Sequence, residues 1–73
     1  MDDDLPIDPV IVDARGMRCP WPVLRAERAL RIAHAVKIIA DDPIADGELA
    51  ALAQARDWRF VRLTGIQFML WKQ

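Results

Sequence analysis

The stretch Val10-Ile11-Val12-Asp13-Ala14-Arg15-Gly16-Met17-Arg18-Cys19-Pro20-Trp21-Pro22 changes character twice, and its reading sets the fold. Val10 to Val12 is a β-branched run closed by Asp13, the pattern of a short strand. Gly16 marks a loop. Cys19 and two prolines then lead into a segment with helical periodicity from about Pro20 to Ala33. There Val23, Ala26, Leu30 and Ala33 fall on one face, with Arg25, Arg28 and Arg31 opposite or flanking it. Proline is at home in the first helical position, where its missing N–H costs nothing. Pro20 at that position makes Cys19 the cap residue of the helix.

Further along, Val36 to Ala40 reads as a second strand, apolar enough to be central, with Lys37 suggesting an accessible end. Asp41-Asp42-Pro43 is a boundary at which Asp42 can cap a second helix and Pro43 can open it. Leu49, Leu52 and Ala53 give that helix its buried stripe, while Gly47 weakens its first turn and can delay its start to near Asp46. Trp58 to Leu63 and Ile66 to Lys72 read as two strands joined by a Thr64-Gly65 hairpin turn. The order βαβαββ implies an α/β (α+β) two-layer sandwich, a four-stranded mixed sheet with both helices on one face. Its first crossover should be parallel and right-handed. The last two strands are apolar on both sides, Phe60, Phe68 and Leu70 alternating with Val61, Leu63, Met69 and Trp71. One of those sets is expected to be poorly covered, shielded by long side chains or the N-terminal tail, or offered to a partner or second copy.

Seventy-three residues, 53% of them apolar and 29% charged, describe one small globular domain. The acidic, proline-interrupted residues 1–9 are expected to be a flexible tail and residues 10–73 the domain. No secretory apolar region and no run long enough to span a bilayer is present, which gives the expectation of a cytoplasmic protein without membrane contact. With a single cysteine no internal disulfide can form. A formal net charge of −1 lacks the basic excess of a nucleic-acid binder, so direct nucleic-acid binding is not expected. The arginines around Cys19 and along the helix read as a solvated face or as a docking patch for an acidic protein.

Cys19 carries the chemistry. A helix start presents unpaired N–H groups and partial positive charge, so a cysteine there is expected to have a lowered pKa and to be largely thiolate. Zinc requires three or four ligands, whereas one Cys and one His are available, so neither metal nor other cofactor is implied. A cysteine hydrolase needs a base within hydrogen-bond reach. The only histidine, His34, follows the far end of the helix, where at about 1.5 Å per residue it is roughly 20 Å from the thiol. A C-x-x-C redox pair is also missing, because Pro22 stands where the resolving cysteine would be. A thiolate without base, metal or second thiol suits transfer of sulfane sulfur, since attack on a persulfide needs only a nucleophile and a good leaving thiolate. Arg15 or Arg18 would help to hold the resulting anion. The alternative for Cys19 is a buried, inert apolar residue. Pro20 and Pro22 stiffen the mount, and Trp21 between them either packs on the tail or, with Arg15 and Arg25, anchors a partner.

The motif Asp13-x-x-Gly16-x-x-Cys19-Pro20-x-Pro22, followed by a helix, a strand and Asp41-Asp42-Pro43, resembles the TusA (SirA-like) sulfur-carrier family over about residues 10 to 72. The resemblance implies a sulfurtransferase-type carrier whose Cys19 takes a persulfide sulfur from a cysteine desulfurase or a rhodanese-like donor. It would pass that sulfur to an acceptor protein, as in tRNA thiolation, molybdenum-cofactor metabolism or sulfur oxidation. Gly16 would allow close approach to the cysteine loop and Asp13 would end the strand beside it, with Arg18, Pro20 and Pro22 in support. Trp21 where the family often has a polar or acidic residue, His34-Ala35 where it usually has Gly, and the acidic tail are departures that bear on partner choice. Two readings compete. One is an interaction module using Trp21, the arginine face and the sheet face, with Cys19 incidental. The other is a redox-sensing thiol.

Overall fold

The computed structural model describes residues 8–72; residues 1–7 and 73, and with them most of the expected tail, lie outside the described residues. The elements are β1 (Val10–Asp13), α1 (Trp21–Ile32), β2 (Ala35–Ile39), α2 (Ala45–Arg56), β3 (Arg59–Arg62) and β4 (Gln67–Trp71). The order is βαβαββ, as the sequence implies. The strands form one mixed sheet in the order β1-β2-β4-β3. β1 and β2 are parallel, with Val10 opposite Val36 and Asp13 opposite Ile39. The last strand, β4, runs antiparallel between β2 and β3. That placement follows from composition: Ala35, Val36 and Ile38 of β2 and Phe68, Met69 and Leu70 of β4 are the buried strand residues, and near-continuous apolar runs belong at the sheet centre.

Register places Val10, Val36, Leu70 and Phe60 in one row across the sheet and Val12, Ile38, Phe68 and Arg62 in the next. This face packs against Ala26 and Leu30 of α1 and Ala45, Leu49 and Ala53 of α2, forming the hydrophobic core of the described residues. The buried positions Pro22, Ala26 and Leu30 repeat every fourth residue, the spacing that keeps one stripe of a helix against a sheet. Acidic Asp46 and Glu48 in the first turn of α2 and basic Arg31 in the last turn of α1 oppose the helix dipoles favourably. Glu27 and Arg56 form an ion pair joining the two helices.

Three expectations change in detail. Asp42 and Pro43 stand ahead of α2, whose cap is Ile44. The hairpin is longer than Thr64-Gly65: both Leu63 and Thr64 donate N–H groups to the Gln67 carbonyl, so the loop runs through Ile66. The second sheet face is better covered than its composition implies, since none of Val61, Leu63, Met69 and Trp71 is exposed. Met69, directly opposite Lys37 and Val61, is flanked on both sides. The exposed large apolar residues lie mostly on edge strand β1 and on the outside of α1, including Ile11, Trp21, Leu24 and Ile32.

Candidate functional site

Because β1 and β2 are parallel, their C-terminal ends lie side by side, and the loops that follow them build one site. The first loop begins at Ala14, which is fully buried and donates its N–H to the Ile39 carbonyl at 2.7 Å. Asp13 accepts from the Arg15 backbone N–H and from its guanidinium at 2.9 and 2.7 Å. These bonds hold the Asp13 carboxyl down at about 2, the side-chain bond to Arg15 contributing most. Met17 N–H returns to the Ala14 carbonyl, closing a turn in which Gly16 adopts φ +82°. A side chain at Gly16 would meet nothing within 4 Å, so glycine is required for its backbone angle and not for space.

The second loop supplies the anchors. Asp41 accepts the Gly16 N–H at 2.9 Å, and Asp42 accepts the Cys19 N–H at 2.6 Å. The other oxygen of Asp42 accepts the Ile44 N–H at 3.1 Å. Asp42 thus ties the cysteine loop to the entry of α2, and the two backbone bonds, that from Cys19 first, lower its pKa. Sequence reasoning assigned Asp42 only to capping. Parallel pairing of β1 with β2 was the available signal that its carboxylate could reach the other loop.

Cys19 is half-buried and its thiol is free. Two expectations about it are corrected. The helix begins at Trp21 with Pro20 in the cap position, so Cys19 lies one residue outside the cap. Its thiol is pushed up in pKa, first by burial and then by the charges of Asp42 and Glu48. The helix end offers little in return, because Pro20 and Pro22 have no N–H, Trp21 donates to the Arg18 carbonyl and Leu24 to the Pro20 carbonyl. Burial and the two neighbouring carboxylates thus favour the thiol over the thiolate.

The remaining sequence-assigned residues divide. Gly16, Arg18 and Pro20 belong to the loop itself, and a hollow beside it is lined by Gly16, Met17, Arg18, Asp41, Asp42 and Pro43. Pro22 points into the core and is among its fully buried side chains. Arg15 is committed to Asp13 and not to the sulfur. Trp21 is 59% exposed and, with Leu24, Arg25, Glu27, Arg28 and Arg31, lines a groove on the outer side of α1. The Cys19–Pro20 peptide is cis. His34 follows the C-cap of α1, at the far end of the helix from Cys19.

A family model described as sulfurtransferase TusA matches residues 10–71, which include both loops and all six elements. The chain belongs to that family. A protein of Archaeoglobus fulgidus, named for a proposed sulfur-carrier role, is 37% identical over 46 residues, 59% of this chain. The aligned part spans 60% of that relative's length. A solved structure, the SirA-like protein of Desulfitobacterium hafniense, matches with a TM-score of 0.71 at 23% identity, covering 85% of this chain and 93% of that one. That likeness bears on the fold, the two-layer TusA architecture described above.

Proposed function

We propose that this TusA-family domain is a sulfur carrier in which Cys19 accepts sulfane sulfur as a persulfide and passes it to an acceptor protein. The observation that carries the reading is the half-buried free thiol of Cys19 on a loop whose backbone is held by a neighbouring carboxylate at 2.6 Å. In the loading step the Cys19 thiol releases its proton, and the thiolate attacks the terminal sulfur of a donor persulfide. The donor's S–S bond breaks, its thiolate leaves with the electron pair, and a new S–S bond joins the transferred sulfur to Cys19. No electrons are gained or lost overall. Unloading is the same displacement at the carried sulfur, with an acceptor thiolate as nucleophile and Cys19 as leaving group.

A thiol of raised pKa is a poor nucleophile at rest, which favours activation on the partner. A cationic group docked against Asp42 and Glu48 would offset the charges that oppose ionisation of Cys19. The donor class is a cysteine desulfurase or rhodanese-like protein, and the exposed Trp21 with Arg25 is the anchor for it or for the acceptor. Arg15 and Arg18 flank the loop as further partner contacts.

The experiment is intact mass of the reduced protein after incubation with a cysteine desulfurase and cysteine, beside Cys19→Ser. One sulfur gained by the wild type alone, and removed by dithiothreitol, supports the reading. No gain from desulfurase, rhodanese or polysulfide donors overturns it and favours an interaction module centred on the exposed Trp21, in which Cys19→Ser leaves partner binding intact.

A further inference from the structure

The sheet ends at β1, and that edge has the chemistry of a binding site. Ala14 donates its N–H to β2, so alternation along the strand turns the N–H and C=O groups of Val10 and Val12 inward and those of Ile11 and Asp13 outward. β1 is terminal in the strand order, so no strand among the described residues takes up those outward groups. Edge strands are commonly blunted by Lys, Pro or a bulge. The sequence Val10–Asp13 contains neither Lys nor Pro, and its one charge is bound to Arg15. Ile11 is 65% exposed.

Beside this edge a groove runs between β1 and α1, with Val10, Val12, Ala29 and Ile32 as its apolar floor and Arg25, Arg28 and Arg31 along its wall. Ile32 is 89% exposed. None of these arginines forms an ion pair among the described residues, whereas Arg15, Arg56 and Arg62 each have a carboxylate partner.

We propose that this groove binds an extended acidic segment of a partner protein, added to β1 as a fifth strand. Main-chain bonds to Ile11 and Asp13 would align the segment, and carboxylates at alternate positions would reach the arginines. Charge selects this occupant. A second copy paired edge to edge would bring two identical arginine walls together across the two-fold axis, and a neutral strand would leave all of these cations uncompensated. Arg31 and Ile32 lie at the end of α1 remote from Cys19, so a segment bound there leaves the thiol free. Arg25 also lines the groove beside Trp21, whereas Ile11, Asp13 and Ile32 belong to this edge alone, and binding here involves no sulfur chemistry.

The test is an NMR titration of the full chain with an acetylated, amidated Glu-Val-Glu-Ile-Glu-Val-Glu peptide, reading amide exchange at Ile11 and Asp13. Saturating peptide should slow exchange at both by about tenfold or more, and Arg28→Glu should weaken binding by about tenfold. A peptide with Lys in place of Glu should not bind. Ile11→Pro removes one outward donor and spares the β1–β2 ladder, so it should also weaken binding while the other amide signals persist. Unchanged exchange, equal binding by Arg28→Glu or equal binding of the Lys peptide overturns the proposal. Protection of Ile11 and Asp13 before peptide is added also overturns it. Dependence of that protection on protein concentration would identify a second copy, and its loss on deleting residues 1–7 would identify the chain's own acidic end. Sulfur loading of Cys19 in the same samples is a separate readout, so failure of one reading is distinguishable from failure of the other.

Discussion

The backbone N–H of Cys19 donates to the carboxylate of Asp42 at 2.6 Å, a bond between residues that follow two different strands. It has two effects of opposite sense. The bond fixes the main chain beneath the sulfur, and the negative charge that makes the bond strong also disfavours the thiolate. Asp42 thus contributes both to rigid presentation and, after burial, to low resting reactivity, which ties the activation of Cys19 in part to whatever approaches Asp42.

Replacing Asp42 by Asn separates these effects. The neutral amide keeps an acceptor but removes the charge, so the Cys19 thiol should become more acidic. The pH profile of alkylation by iodoacetamide should shift to lower pH in Asp42→Asn, and amide exchange at Cys19 should quicken as the anchor weakens. An unchanged alkylation profile would show that burial and Glu48, and not Asp42, set the acidity of this thiol.

The same bond makes the loop sensitive to acid. The folded pKa of Asp42 is depressed below its unfolded value, so its contribution is complete above the unfolded value of about 3.9 and is lost as pH falls through the folded pKa. The Cys19 amide resonance should hold its position through neutral pH and move only below about pH 3.9. Movement centred at or above that value would contradict the assignment of Asp42 as the acceptor.

Gly16 tests the other half of the anchor. With φ at +82° and open space around its α-carbon, Gly16→Ala introduces backbone strain without a clash. The cost should be about 1–2 kcal/mol by thermal or denaturant unfolding. Sulfur loading should fall as well, because the Gly16 N–H bond to Asp41 depends on the same turn. A stability change within a few tenths of a kcal/mol would mean that the loop adapts freely.

The parts of this architecture legible in the sequence were those governed by local periodicity and punctuation. Val10–Asp13, the apolar run around Phe68 and the stripe through Ala26 and Leu30 each announce their element, but only the helical stripe announces its buried side, because the last two strands are apolar on both faces. The Asp13-to-Pro22 motif marked the cysteine loop. The acidity of Cys19 was not legible, because it depends first on burial and then on the charges of Asp42 and Glu48, all of which are set by tertiary packing. Local rules also misplaced the helix start by one residue, enough to move Cys19 out of the cap. Pro22 read as a stiffener of the first turn, and its burial became visible only with the sheet in place.

The balance between packing and charge in this small domain can be measured with two substitutions on α1. Leu30 is 1% exposed and sits in the core with Ile38 and Phe68. Leu30→Ala should cost about 2–5 kcal/mol, the range in which a buried leucine leaves a cavity. Against a total stability of roughly 5 kcal/mol for a domain this small, that loss leaves a large unfolded fraction near body temperature. Glu27, three residues earlier, pairs with Arg56, whose side chain is 52% exposed. Solvent screening limits such a pair, so Glu27→Gln should cost less than about 1 kcal/mol, and the difference should shrink in high salt. Denaturant unfolding of both variants at low and high salt checks the ranking. A Glu27→Gln loss as large as that of Leu30→Ala, insensitive to salt, would mean that the helix–helix ion pair and not the core holds α1 to α2.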